Sequence, residues 1–227
     1  MSAGLWVLTI LIGTFAVLNW IAAAADLRKV FAFTKIAVIA LLIIWFGLLG
    51  GIEKRTIWFM LALLFSLAGD VLLLLSSRWF LYGLAAFLLA LMAYIIGYNQ
   101  TIPPLLPSVF GILLMAIPVF IIYRILRREV QSKPHLRKMA IPIIGYTIIL
   151  WLMVLSTSMS LFKSEWQLQA ALPAALGGVL FFCSDAMLAY DRFVKPFKRA
   201  HILVMMTYHL AHFALIWGVV QHFGLIS

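Results

Sequence analysis

Eight runs of apolar residues divide this chain, and each run has the length of a membrane-spanning helix. A helix that crosses the hydrocarbon core needs roughly 17–25 mainly apolar residues, because it rises about 1.5 Å per residue. Lipid offers no partner to backbone polar groups, so each run is predicted to be helical. The predicted spans are Leu5–Ala25, Phe31–Leu49, Ile57–Leu75, Trp79–Gly97, Leu106–Tyr123, Met139–Ser160, Leu168–Tyr190 and His201–Phe223.

The composition excludes a soluble globular domain. Of the 227 residues, 66% are hydrophobic and 11% are charged, whereas soluble domains carry about 25% charged residues. The first run is followed by Arg28 and Lys29 and has no basic residue before it, so we expect a retained span rather than a signal peptide. The predicted fold is therefore all-α: a polytopic bundle of about eight transmembrane helices, in a single domain over residues 1–227.

Thirteen basic residues lie in the loops on one side of the predicted bundle. Three others, Lys54, Arg55 and Lys163, lie in loops of the opposite side. The side with thirteen is predicted to be cytoplasmic, which places both termini on the non-cytoplasmic side. We expect a multi-pass protein of a bacterial inner (cell) membrane. Membrane orientation and attraction to anionic membrane lipids account for the formal charge of +10, so no nucleic acid is expected as partner. The thirteen are Arg28, Lys29, Arg78, Arg124, Arg127, Arg128, Lys133, Arg137, Lys138, Arg192, Lys195, Lys198 and Arg199.

Two aspartates interrupt the apolar runs. Asp70 lies in LLFSLAGDVLLLL and Asp185 in VLFFCSDAMLAY. A carboxylate facing hydrocarbon costs several kcal/mol, on the order of insertion-scale values, so each aspartate must face a protein interior or a wet cavity. Both spans run in the same direction, and each aspartate precedes the predicted cytoplasmic end by five residues. The two carboxyl groups are therefore predicted to share a depth and form a functional site.

Two carboxyl groups that converge in a low-dielectric bundle do not both ionise readily, so one can stay protonated near neutral pH. An acid beside a carboxylate suits cleavage through a cationic transition state, as in glycoside hydrolysis. The sequence does not say which aspartate is the acid. The alternative is that each aspartate only hydrogen-bonds a neighbouring helix.

Several further polar residues are candidates for binding a substrate. Tyr94, Tyr146 and Tyr208 are candidate hydrogen-bond partners, and His212 shares a helical face with Tyr208. Lys35 lies near the cytoplasmic end of its span, where it either binds a substrate phosphate or anchors the helix at the interface.

Two other classes of protein stay open at this stage. A zinc-dependent lipid hydrolase would use His209, His212 and an aspartate, although two histidines three residues apart form a weak motif. A weak repeat aligns the sequences around Asp70 and Asp185, which is compatible with a proton-coupled transporter or a lipid-binding bundle.

At these positions the chain resembles a known family. The strings LAGDVLL, GLAAFLLALMAY, FFCSDAMLAYDRF and TYHLAH are similar to the YhhN-like lysoplasmalogenase family of membrane proteins, from about Lys35 to His212. The resemblance implies an eight-helix fold and hydrolysis of the vinyl ether bond of lysoplasmalogens to a fatty aldehyde and a glycerophospho-alcohol. It implies Asp70 and Asp185 as catalytic residues and a lysophospholipid substrate with a vinyl ether chain. Because the sequence has no strong metal-binding motif, we expect no cofactor or metal.

The chain departs from the family pattern at three places. Ile36 follows Lys35 where a proline is common, and Leu91 stands where a histidine is frequent. The usual Tyr-Tyr-x-x-Gln of the last helix is Tyr208-His209-Leu210-Ala211-His212. These changes fall near the predicted pocket and bear on head-group or chain preference, while both aspartates are retained.

Overall fold

The computed structural model describes residues 2–132 and 140–226, which form α-helices joined by short turns, with no β-strand in these two ranges. Single 3-10 turns at Ser77–Trp79 and Ser160–Phe162 and a π-helical turn at Tyr190–Val194 adjoin the helices. The helices are α1 (Ala3–Ala24), α2 (Arg28–Leu48), α3 (Ile57–Leu74), α4 (Phe80–Tyr98), α5 (Leu105–Ser132), α6 (Ala140–Met159), α7 (Leu168–Ala189) and α8 (Ala200–His222).

The predicted all-helical membrane fold is confirmed. Seven helices in the described part of the chain are long and apolar enough to cross a membrane, and the remaining predicted span, Leu106–Tyr123, lies within α5. The predicted orientation of the termini stays a prediction. Lys133, Arg137, Lys138 and the predicted start of the sixth span at Met139 lie outside the described residues.

Specific contacts end the helices on the side predicted to be non-cytoplasmic. After α2 the backbone turns at Gly50, whose φ of 99° favours glycine. The hydroxyl of Thr56 donates to the Gly50 carbonyl at 2.6 Å and closes this turn before α3 begins. The ammonium of Lys163 donates to the carbonyls of Tyr98 at 2.7 Å and Thr101 at 3.1 Å. A cation is favourable there because the carbonyl end of α4 carries partial negative charge.

Small residues let α7 and α8 pack very closely. A Cβ at Gly177 would lie 2.7 Å from the backbone nitrogen of Leu215, and one at Gly218 would lie 2.7 Å from the carbonyl oxygen of Ala170. Backbones in membrane bundles approach this closely only where side chains are small. This contact fixes the register between the helix that carries Asp185 and the helix that carries Tyr208.

The helix α8 is the most buried of the seven candidate spans in the described ranges. It packs against α7, α1 and α2, while other helices present large apolar side chains such as Phe33 and Ile10 on the outer surface. An outer surface of this kind suits lipid rather than water. The central position of α8 brings its polar residues toward the carboxyl-bearing helices.

Candidate active site

Asp70 is held by an ion pair and a hydrogen bond from two other helices. Its carboxyl is fully buried on α3, and Oδ1 lies 2.9 Å from the Nζ of Lys35 on α2. The hydroxyl of Tyr208 on α8 donates to Oδ2 at 2.8 Å. Three helices thus converge on one carboxyl group, and its contacts are an ammonium and a hydroxyl.

Lys35 belongs to the same cluster and is also buried. Only 9% of its side chain is exposed, and its ammonium lies 5.8 Å from the centre of the Tyr208 ring. A contact between this ammonium and a substrate phosphate would therefore compete with a buried ion pair. The structure brings Lys35 into the site, but as the partner of Asp70.

Asp185 has a different environment. The hydroxyl of Tyr146 on α6 donates to its Oδ2 at 2.5 Å. Within the described ranges its carboxyl accepts no second hydrogen bond and forms no ion pair. The adjacent hydroxyl of Ser184 donates to the carbonyl of Val204 at 3.0 Å, which ties α7 to α8 beside the carboxyl group.

Asp70 and Asp185 line one cavity, as their shared depth predicts. Each lies four residues before the last residue of its helix, so the predicted register is confirmed to within one residue. The empty space of the cavity, which includes open solvent at its mouth, measures about 940 Å³. Its wall is mainly apolar and includes Lys35, Asp70, Leu73, Phe80, Leu84, Phe87, Ile143, Tyr146, Leu150, Phe182, Asp185, Arg192, Phe193, Met205 and Tyr208.

Two of the predicted binding residues lie outside this wall. The hydroxyl of Tyr94 and the Nδ1 of His212 share a hydrogen bond of 3.0 Å, and both side chains are fully buried. The His212 ring meets the Tyr208 ring edge to face, with 4.6 Å between centroids. His212 therefore packs against Tyr208 outside the cavity wall, and Tyr94 is hydrogen-bonded to His212. Tyr146, Tyr208 and Lys35 line the cavity.

The two histidines of α8 belong to separate contacts. The Nδ1 of His209 accepts from the indole of Trp20 on α1 at 3.2 Å, while His212 contacts Tyr94. Across residues 2–132 and 140–226, no three His, Cys, Asp or Glu side chains form a group able to hold a metal ion. The zinc alternative thus finds no ligand set in this part of the chain.

The sequence pattern places Arg192 only among the basic loops, yet its side chain lines the cavity. It lies in the π-helical turn Tyr190–Val194, where the Lys195 amide donates to the Tyr190 carbonyl at 3.0 Å. A π turn redirects side chains at the end of a helix and recurs at functional sites. Neither hydropathy nor helical periodicity predicts this π-helical turn.

The arrangement suits acid catalysis more than nucleophilic catalysis. The Ser184 hydroxyl donates its hydrogen bond to a backbone carbonyl, and Cys183 is exposed on the outside of the bundle. Two carboxyl groups with unequal partners can instead supply one proton donor and one fixed negative charge to a substrate between them.

The sequence matches a known family of proteins along most of its length. The model of the YhhN family matches residues 30–219. The chain is similar to lysoplasmalogenase TMEM86B of Mus musculus, with 29% identity over 164 residues that cover 72% of this chain and 64% of the relative. The corresponding Homo sapiens protein is 28% identical over 151 residues, covering 66% of this chain and 58% of the relative.

The chain spans roughly three-fifths of the length of these curated relatives, and no solved structure matches it. The segment that matches the family model contains the Lys35–Asp70 pair, Asp185 and Tyr208. The match extends over most of the chain and includes every polar side chain described above in the cavity wall. This integral, multi-pass membrane protein therefore belongs to the YhhN family.

Proposed function

We propose that this protein hydrolyses the vinyl ether bond of lysoplasmalogens by catalysis with Asp70 and Asp185. The observation that carries the proposal is the presence of both carboxyl groups, with unequal partners, in one mainly apolar cavity. The names of the similar mammalian proteins support the substrate class. An apolar cavity within a bundle also suits a substrate whose reacting bond adjoins an alkyl chain.

Asp70 is assigned the role of fixed carboxylate. A carboxylate only accepts hydrogen bonds, and both groups that contact Asp70 carry protons to donate. The Lys35 ammonium at 2.9 Å and the Tyr208 hydroxyl at 2.8 Å thus match its ionised form. Its negative charge can stabilise a cation that forms in the cavity.

Asp185 is assigned the role of proton donor. The described residues give it one hydrogen bond, from Tyr146, and no neighbouring cation within ion-pair distance. A largely buried carboxyl group without a cationic partner favours the neutral form. Asp185 can then carry the proton that the reaction requires.

The reaction begins when Asp185 donates its proton to the vinyl ether carbon that is not bonded to oxygen. The electron pair of the double bond forms the new C–H bond, and the other carbon becomes part of an oxocarbenium cation. Water adds to that carbon and gives a proton back to Asp185, which produces a hemiacetal. The hemiacetal C–O bond to glycerol then breaks as its hydroxyl proton moves to the departing oxygen, yielding aldehyde and alcohol.

The charges of the site balance along this sequence. Before the reaction the ammonium of Lys35 offsets the carboxylate of Asp70, and Asp185 is neutral. After proton transfer the new cation is offset by the new carboxylate of Asp185. The reacting groups and the Lys35–Asp70 pair therefore leave no unpaired charge among themselves, which would be costly in the low-dielectric interior.

The direct test is the substrate range of the purified protein, measured by mass spectrometry of its products. We expect turnover of 1-alkenyl lysophospholipids, no turnover of 1-alkyl analogues and little of 1-acyl ones, because only the alkenyl chain offers a carbon that accepts a proton. In heavy water the reaction should slow, and the aldehyde should carry deuterium on the carbon beside its carbonyl. Comparable fatty acid release from a 1-acyl lysolipid would refute the vinyl ether assignment.

Variants of the two aspartates test the mechanism separately. Asp70→Asn and Asp185→Asn should each lower turnover on the order of a hundredfold or more, with normal membrane insertion. Asp26→Asn is the control, because the Asp26 side chain is 87% exposed and does not line the cavity. Near-normal turnover in either cavity variant would contradict catalysis by the pair.

Localisation in a bacterial inner membrane stays a prediction of the sequence.

A further inference from the structure

The opening of the cavity carries one cation that the proposed chemistry does not use. Arg192 lines the same cavity as Asp70 and Asp185, but it follows the end of α7 and is exposed rather than buried. Its side chain thus joins the apolar interior to the surface on the side where basic loops predominate.

The guanidinium of Arg192 is positioned by an aromatic ring. Its central carbon lies 3.8 Å from the centre of the Phe80 ring at the start of α4. Stacking on a ring covers the flat face of a guanidinium and leaves the N–H groups at its edge able to donate. No carboxylate within the described ranges forms an ion pair with it.

The acidic residue beside Arg192 is engaged elsewhere. Asp191 accepts a hydrogen bond from the backbone amide of Phe197 at 3.1 Å, which closes the loop between α7 and α8. The π-helical turn and this loop together fix the backbone of Arg192 without neutralising its charge. A cation held in this way, at the end of an apolar cavity, suits an anionic head group.

We propose that Arg192 binds the phosphodiester of the lysophospholipid head group and thereby sets which lipids enter the site. This inference rests on the proposed function. Arg192 follows Asp185 by seven residues, which is about 10 Å along a helix. Because the arginine side chain is long and flexible, its guanidinium can lie closer to the Asp185 carboxyl than this backbone distance. A glycerol unit separates the vinyl ether from the phosphate by a short chain of single bonds, so one molecule can contact both residues.

This assignment also explains how the site can bind a phosphate without breaking the ion pair between Lys35 and Asp70. Lys35 is the other cation of the cavity wall, and it is already paired with Asp70 at 2.9 Å. Arginine has a planar fork of donors that matches two phosphate oxygens, which a lysine does not. Arg192 is therefore a specificity-determining residue at the opening, while Lys35 serves Asp70.

Binding of uncleaved ligands tests the inference independently of turnover. The probes are a 1-alkyl lysophosphatidylcholine and a 1-alkylglycerol of equal chain length, titrated into protein in maltoside micelles. Arg192→Gln should weaken binding of the phosphate-bearing probe on the order of tenfold and leave the alkylglycerol unchanged. Arg192→Lys should recover part of the loss. Lys198→Gln, an exposed cation of the same loop outside the cavity wall, should behave as the wild type.

Turnover provides the second measurement. Arg192→Gln should raise KM for the alkenyl lysophospholipid about tenfold with little change in kcat, and should leave turnover of a 1-alkenylglycerol unaffected. Equal losses for both probes, or none for either, would overturn the role of Arg192. An equal loss in Lys198→Gln would instead assign the effect to general surface charge and also overturn it. None of these results changes the test of vinyl ether cleavage, which uses the wild type.

Discussion

The buried ion pair between Lys35 and Asp70 makes a quantitative prediction about stability. The perturbations are Lys35→Met, Asp70→Asn and the double variant, which remove the ammonium, the carboxylate or both while retaining similar volumes. The Lys35 side chain is 9% exposed and that of Asp70 is fully buried, so neither charge is well solvated after its partner is lost.

The expected magnitudes follow from that burial. Breaking a buried ion pair from one side costs about 3–5 kcal/mol, mostly because the remaining charge has no partner, whereas removing both charges costs much less. We expect Lys35→Met to lower the free energy of unfolding by about 3 kcal/mol. The double variant should be more stable than Lys35→Met, with a coupling energy of about 2–3 kcal/mol.

The assay is unfolding in mixed dodecyl maltoside and dodecyl sulfate micelles, followed by circular dichroism and checked for reversibility. Lys54→Met is the control, because Lys54 is an exposed loop residue and should change stability by less than about 0.5 kcal/mol. Additive losses in the double variant would show that the two charges do not stabilise one another. The assignment of Asp70 as a fixed carboxylate would then lose its basis.

Three further predictions concern topology, metals and packing. In a Cys183→Ala background, Lys198→Cys should be shielded from impermeant thiol reagents in intact cells while Lys54→Cys is labelled, and the reverse would invert the orientation. Exhaustive treatment with EDTA or phenanthroline should leave turnover unchanged, and a loss restored by zinc would support the zinc alternative. Gly177→Ala should destabilise the protein by about 1–3 kcal/mol, since its Cβ would lie 2.7 Å from a backbone nitrogen of α8. The Cβ of Gly13→Ala would meet no atom within 4 Å, so this control variant should not lower the unfolding midpoint of the protein.

The predictable part of this fold is the part set by the bilayer. Helix length and hydropathy follow from the thickness of the hydrocarbon core, so the predicted span Ile57–Leu75 differs from α3 by one residue. The equal depth of Asp70 and Asp185 follows from the same constraint, because depth is a matter of counting residues along a helix. Their presence in one cavity also follows, since neither carboxyl group can face lipid.

The partners of each polar side chain were harder to predict, because they depend on helix rotation and on contacts between helices. Helical periodicity places Tyr208 and His212 on one face, but only Tyr208 lines the cavity, and His212 contacts Tyr94 instead. Arg192 was missed for a related reason. Its charge fits the basic loops, and the π turn that directs it into the cavity has no hydropathy signal.

The contrast between the two aspartates shows why position alone cannot assign their roles. They have the same chemistry and the same place in their helices, so the sequence treats them as equivalent. The difference comes from other helices: α2 contributes the ammonium of Lys35 beside Asp70, and α6 contributes only the hydroxyl of Tyr146 beside Asp185. A neighbouring cation fixes a negative charge, whereas a hydroxyl alone leaves a largely buried carboxyl group able to hold and release a proton. The proposed division between charge stabiliser and proton donor therefore rests on helix packing, and exchanging the two proposed roles would require moving a single lysine.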